Sequence, residues 1–423
     1  MTTDVQRGLA PVSRRLDNGA LVIVKESRVT PAVTISVSVP AGTVADPRDL
    51  PGVSSFLSRV IDRGTEAHTA DEIAEALDGR GVTLTATAMR HAFVVACTCL
   101  AEDFSALLDL VGEVVRQPSL PDGEIATRRG EIVTAIRQDQ DNPAMVAIEE
   151  DLALLYPNGH PYGCRMKGTI ESVERIDRLA LVRMHRDRFG PSSLVVVVVG
   201  DVDTARALEQ TARVFGDWAG RSESPAPVPP PPRVEARRQS VVPMNKAQAD
   251  IAYGFNTIAR NDPAYYALAL MNNVLGQYAL GGRLGDNIRE RQGMAYYVFS
   301  AFEPNVGESP LVVRAGVGPG NVDRTLAAID EELRHMARDG VTARELEASK
   351  KYLISSMPRT LETNAGIATF LQTCAQFGLG LDYDLRLPGL LSAVTVEEAS
   401  EMARRFLVPE RATIVVAGPY SRD

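Results

Sequence analysis

A helix end, a proline and a buried apolar strand closed by glycine occur twice in this 423-residue chain. Residues 183–188 lead through Pro191 into Leu194-Val-Val-Val-Val-Val199 and stop at Gly200. Met402-Ala-Arg-Arg-Phe406 leads through Pro409 into Ala412-Thr-Ile-Val-Val-Ala417 and stops at Gly418. The prolines and the glycines are offset by the same 218 residues (409 − 191 and 418 − 200). Two landmarks with one offset point to a duplicated α+β domain, each copy with its own buried strand. The length agrees, since a chain of this size splits into two domains of about 200 residues.

Between the copies lies Arg221-Ser-Glu-Ser-Pro-Ala-Pro-Val-Pro-Pro-Pro-Pro232. Such a run forms neither helix nor central strand and favours an extended, semi-rigid spacer. The expected division is therefore a first domain over residues 1–220, a Pro-rich linker over 221–238 and a second domain over 239–423. Within the first domain, alternation over 20–25 and 32–39 predicts two strands. Val53, Phe56, Leu57, Val60 and Ile61 recur at helical spacing. Thr69 is placed to cap a second helix. Strands are expected over 82–87 and 92–100, and long helices over 104–116 and 123–139.

Charge and hydropathy remove several function classes. A net charge of −9 argues against nucleic acid or an anionic membrane as the main partner. No run of about 20 apolar residues is present, so no spanning helix is expected. The first eleven residues lack the apolar core of a signal peptide, which predicts a cytoplasmic chain, or a periplasmic one had a leader been removed. Cys97, Cys99, Cys164 and Cys374 are too few and scattered for a disulfide framework and read as reduced thiols.

The order of several stretches resembles the pitrilysin and mitochondrial processing peptidase (insulinase-like) family along essentially the whole chain. They are Leu16-Asp-Asn-Gly-Ala-Leu-Val-Ile-Val24, residues 52–65, His160-Pro-Tyr-Gly163 and Gly200-Asp-Val-Asp203. In the second half they are Asn245-Lys-Ala-Gln248, residues 283–296 and residues 345–362. The resemblance implies two α/β-sandwich domains closed like a clam, pairing with a second such chain around a chamber.

Peptide-hydrolysing members of that family carry His-x-x-Glu-His, in which two imidazoles one helical turn apart grip zinc and the glutamate serves as general base. Here the two ligand positions align with Ser55 and Arg59, the base with Ser58 and a distal glutamate ligand with Ala135. Serine is a poor zinc ligand, and arginine repels the ion and keeps its proton. All four positions are lost, so no metal is expected in this chain.

The second half keeps the other element the resemblance implies. In Gly281-Gly-Arg-Leu-Gly-Asp-Asn-Ile-Arg-Glu-Arg-Gln-Gly-Met-Ala-Tyr-Tyr297, the family's Arg and Tyr align with Arg289 and Tyr296. A cation and a phenol preorganised beside a scissile carbonyl stabilise the negative charge that develops there, each donor worth about 3 kcal/mol. Arg291 and Tyr297 are the near misses; adjacent strand residues face opposite sides, so one tyrosine alone can serve. Gly281 and Gly282 are expected in a glycine loop beside the substrate. A phosphate loop is disfavoured, since no Gly-Lys-Ser/Thr follows.

The expectation is a zinc-free subunit of a heterodimeric zinc metallopeptidase, inactive alone. A zinc-motif-bearing homologue would supply metal and base, and this chain Arg289, Tyr296 and half the chamber for a peptide or unstructured substrate. The alternatives are an inert scaffold subunit and a homodimeric peptide-binding chamber.

Overall fold

The computed structural model describes residues 8–223, 226–277 and 281–421. Two compact units are present, and each draws one helical segment from the other's half of the sequence. The first takes described residues within Met1–Ile136, Arg165–Pro227 and Met357–Arg386. The second takes Arg137–Cys164 and described residues within Val228–Ser356 and Leu387–Asp423.

The first unit holds strands β1 (Val12–Arg15), β2 (Leu21–Glu26), β3 (Ala32–Val39), β4 (Thr85–Ala88), β5 (Phe93–Leu100) and β6 (Val195–Gly200). Their order across the sheet is β1-β2-β6-β3-β5-β4. The β2–β6 pair is parallel and the other pairs are antiparallel. The strand expected from residue 82 begins at Thr85; the apolar Val82 and Leu84 are buried in the approach to it.

Alternating side chains of β2, β3 and β6 go to two different cores. Val24, Ile35 and Val198 join Phe56, Leu57 and the helix Phe104–Arg116 on one face. Ile23, Val197 and Val199 meet Ile367, Ala368 and Leu371 of the helix Asn364–Phe377 on the other. Burial on both faces accounts for five consecutive valines in one strand. That second helix also fixes its register on the sheet, because Gln372 donates to the Ser36 carbonyl at 2.9 Å and accepts from the Ser38 hydroxyl at 2.6 Å.

The second unit repeats the plan with β7 (Arg238–Pro243), β8 (Ala249–Asn256), β9 (Ala295–Phe302), β10 (Pro310–Val317) and β11 (Thr413–Gly418). The order is β7-β11-β8-β10-β9, with β7–β11 parallel. Removing β1 superposes the two orders strand for strand, β6 corresponding to β11. Each of these two strands follows a 3-10 turn, at Pro191–Ser193 and Pro409–Arg411, which is the duplication read from the sequence.

Tyr253, Val313 and Val416 pack under the helices Val322–Asp339 and Val396–Phe406. The opposite face, with Ala252, Val312 and Val415, is covered by Val146 and Ala147 of the helix Pro143–Leu155. A sheet apolar on both faces needs two layers of helix, and in each unit the second layer comes from the other sequence half.

The Pro-rich stretch has no regular structure over residues 226–232, and a specific contact holds it. His160 Nδ1 accepts from the Tyr162 amide at 3.1 Å, which leaves the proton on Nε2 to donate to the Pro229 carbonyl at 2.9 Å. Tyr156 and Tyr162 pack edge to face beside this imidazole and bond to the backbone at Glu308 and Gly307. The His160-Pro-Tyr-Gly163 motif thus serves packing within the second unit.

Candidate functional site

Ser55, Ser58 and Arg59, which the resemblance aligns with metal and base positions, lie on the helix Val53–Val60, where the periodicity expected a helix. Val53, Phe56, Leu57 and Val60 are buried, so Ser55, Ser58 and Arg59 fall on the opposite side. Ser55 and Ser58 are half-buried and Arg59 is exposed. The Ser58 hydroxyl donates to the Ser55 carbonyl at 2.7 Å, turning back onto its own helix.

Ala135 is half-buried on the helix Asp122–Gln140, whose Ile132 and Ile136 face the core. The arginines here act on Glu131: Arg128 bonds it at 2.5 Å, and the charges of Arg59 and Arg63 help hold its carboxyl below the ordinary range. Arg59 therefore projects to solvent and makes no ion pair among the described residues. Two hydroxyls, a guanidinium and a methyl group do not fit zinc. No cluster of three His, Cys, Asp or Glu able to hold a metal exists among the described residues.

What seats this helix is a residue that sequence reasoning missed. Asp46 accepts from the Gly52 amide at 2.7 Å, the Ser54 amide at 2.9 Å and the Ser54 hydroxyl at 2.5 Å. Burial raises the Asp46 carboxyl to about 6, against the pull of those three donors. Its signal in the sequence was weak, because the carboxylate reaches forward six residues and lies outside the usual N-cap spacing.

Arg289 and Tyr296 lie in the second unit. Arg289 sits in a π-helical turn, Gly285–Arg291, and its guanidinium is 3.5 Å from the Glu290 carboxylate. The chain then reverses at Gly293, whose φ of 62° is the left-handed conformation that favours glycine, and enters β9. Tyr296 is 66% exposed, and its hydroxyl makes no hydrogen bond among the described residues.

Both near misses are engaged elsewhere. Tyr297 donates its hydroxyl to Asp250, and burial together with that bond pushes the phenol well above its ordinary range. Arg291 is paired with Asp286 at 2.5 Å. Of the two arginines and two tyrosines considered, Tyr296 is therefore left as the accessible phenol and Arg289 as the loosely held guanidinium.

Gly281 is exposed and Gly282 is buried. A Cβ on Gly282 would stand 2.7 Å from the Gly276 Cα, so close backbone approach already requires glycine there. Arg283 turns away from the corner, donating twice to Glu345, at 2.7 and 2.8 Å, and once to the Gly340 carbonyl. Burial raises the Glu345 carboxyl, but these bonds and those from Thr342 outweigh it and hold it at about 2.

Neither set of residues borders either of two hollows in the structure. One of about 730 Å³ in the second unit is bordered by Arg233, Phe255, Glu308, Arg405 and Arg411. Another of about 650 Å³ in the first unit is bordered by Arg63, His68, Asp71 and Glu124. The thiols of Cys97 and Cys99 are buried in β5 and pushed up to about 12 and about 11 by burial, which makes both inert.

Two family models match in succession along the chain: the insulinase (peptidase family M16) model over residues 21–159, and the peptidase M16 inactive domain over residues 175–353. The chain belongs to peptidase family M16. An uncharacterized zinc protease of Mycobacterium leprae is 28% identical, covering 96% of this chain and 91% of that one. The zinc protease YmxG of Bacillus subtilis is 23% identical over 95% of this chain and 96% of its own. The beta subunit of the bovine mitochondrial-processing peptidase is 20% identical, covering 96% and 84%.

A crystal structure described as a peptidase M16 inactive domain, from Pseudomonas fluorescens, matches with a TM-score of 0.91 and 24% identity over 98% of this chain and 99% of that one. A Helicobacter pylori protease matches with a TM-score of 0.87 and 18% identity over 96% and 99%. At these identities the structural matches speak to the M16 fold. The relatives named as zinc proteases contrast with this chain's own donor set at residues 55, 58, 59 and 135. Among the described residues no helix is long and apolar enough to cross a membrane.

Proposed function

We propose that this chain is the zinc-free subunit of a two-chain M16 peptidase. A homologous partner with an intact zinc motif supplies the metal and the general base. This chain supplies Arg289 and Tyr296 to the substrate carbonyl. The observation that carries the reading is the asymmetry between the two half-sites. The positions that the resemblance assigns to metal and base hold Ser55, Ser58, Arg59 and Ala135, whereas Arg289 and an exposed Tyr296, its hydroxyl unbonded among the described residues, remain in the second unit.

Hydrolysis of a peptide bond moves charge onto the carbonyl oxygen. Arg289 places a permanent cation beside that oxygen, and Tyr296 donates one hydrogen bond without giving up its proton. Donors held in place before the reaction favour the charged state over the neutral amide, which lowers the barrier. The substrate class is an extended peptide or unstructured segment, since backbone pairing to a sheet edge reads main chain and tolerates varied side chains.

The test is an assay of a quenched fluorescent peptide with the chain alone and then with a zinc-motif homologue, with zinc measured on the same samples. The expected result is silence alone and partner-dependent cleavage that Arg289→Ala or Tyr296→Phe weakens. Cleavage by the isolated chain with stoichiometric zinc would overturn the proposal. Partner activity indifferent to both substitutions would leave the chain a scaffold.

A further inference from the structure

The helix Pro143–Leu155 presents Ala147, Asp151 and Leu155 to the second sheet at four-residue spacing, and all three are buried. Asp151 is 0% exposed, and among the described residues neither carboxyl oxygen makes a hydrogen bond of good geometry, although the Thr413 hydroxyl is close enough to favour the charged form. It lies over Gly254 of β8: a Cβ there would collide with Asp151 Oδ2 and stand 2.8 Å from Thr413 Oγ1 of β11. A carboxylate in such a place lacks both water and a counter-charge, whereas a neutral acid loses far less on burial.

Among the described residues no charged group relieves it. On the sheet face that receives the helix, Arg314 of β10 donates to the Ala144 carbonyl at 3.2 Å, and Arg238 of β7 to the Leu154 carbonyl at 3.5 Å. Asp250 of β8 is engaged by Tyr297 and Gln248. From the turn Pro161–Gly163 come His160 and Tyr162, bonded to Pro229 and to Gly307. On the helix itself Glu149 and Glu150 are neighbours in sequence, half-buried beside it. β11 contributes only the Thr413 hydroxyl. Burial and that hydroxyl are the only influences on the Asp151 proton; burial dominates and pushes the carboxyl up to about 8.

We propose that Asp151 is a pH-sensitive latch on this helix: it seats the helix as a neutral acid, and loss of its proton loosens the helix from β8 and β11. Two features make the latch matter beyond local packing. This helix forms the second-layer cover over Ala252, Val312 and Val415. It also runs directly into residues 156–162, where His160 bonds the Pro-rich segment at Pro229. Alkaline release therefore reaches from the sheet to the linker.

The sign follows from linkage. The unfolded carboxyl titrates near its ordinary ~4 and the folded one near 8. Below pH ~4 both states hold the proton and Asp151 has no pH effect. Between pH ~4 and ~8 the folding equilibrium weakens by roughly tenfold per pH unit, and above that it levels off.

The experiment is equilibrium unfolding of the full chain from pH 5 to 9 alongside Asp151→Asn. The expected result is that the wild type loses roughly tenfold per pH unit relative to the variant up to about pH 8. Parallel profiles would overturn the proposal. Should Asp151→Asn not fold, hydrogen exchange of the amides in 143–155 is read in the wild type and in Thr413→Val. Protection that falls with pH and levels off at higher pH in Thr413→Val, which lacks the hydroxyl that favours ionisation, supports the latch. Protection independent of pH, after correction for intrinsic exchange, would overturn it.

Discussion

Tyr297 donates its phenol hydroxyl to Asp250, a residue only 3% exposed, and thereby leaves its neighbour Tyr296 as the phenol available at the entry to β9. Successive strand residues face opposite sides, so one bond on the inner side decides which tyrosine can meet a ligand. Tyr296→Phe is expected to lower partner-dependent peptidase activity by about 10²–10³-fold in kcat with little effect on stability, the size typical of one oxyanion donor. Tyr297→Phe is expected to do the reverse, costing about 1–3 kcal/mol of stability through loss of a bond to a charged acceptor. Paired kinetic and denaturant measurements on the two variants separate these outcomes.

The helix Val53–Val60 depends on Asp46 for its first turn. Asp46→Ala removes the acceptor for two amides and a hydroxyl and should cost about 1–2 kcal/mol, read as a lower denaturation midpoint of the first unit. The folded carboxyl, at about 6, lies above its ordinary value. Its linked contribution is therefore fully present below pH ~4 and lost as pH rises through about 6. The wild type should show that loss and Asp46→Asn should not.

Glu345 carries the opposite sign. Arg283 and Thr342 hold it at about 2, so its stabilisation is present above pH ~4.5 and is lost as pH falls through about 2. Glu345→Gln should cost about 1.5–3 kcal/mol at neutral pH, the range for hydrogen bonds to charged groups, with the difference from wild type shrinking in acid. Acid unfolding curves of the two proteins check it.

Gly282→Ala should destabilise the second unit by about 1–3 kcal/mol, because its Cβ meets the Gly276 backbone at 2.7 Å. If Gly282 served substrate alone, the variant would keep its melting temperature and lose only KM.

The donor set at residues 55, 58, 59 and 135 carries an expectation that needs only elemental analysis. Protein purified with excess zinc and then desalted should retain well under one zinc per chain, since Ser55, Ser58, Arg59 and Ala135 offer no ligand set.

The sequence by itself determined the duplication and its central strands. The recurrence of a proline, an apolar run and a glycine at a fixed offset is local information, as are the helical spacing over 53–61 and the Thr69 capping box with Glu72. The expectation that residues 55, 58, 59 and 135 hold no zinc was equally a reading of side-chain identity. Only the tertiary structure decided which of Arg289 and Arg291, and which of Tyr296 and Tyr297, is engaged, since Asp286 and Asp250 act through space. The same holds for the exchange of helices between the units. Asn364–Phe377 covers the first sheet and Pro143–Leu155 the second, because each apolar face binds whatever stripe reaches it. An acid at position 151 in an apolar stripe was visible in the chain. That the partner face offers it a single hydroxyl, from Thr413, and no counter-charge among the described residues is a property of the packed sheet alone.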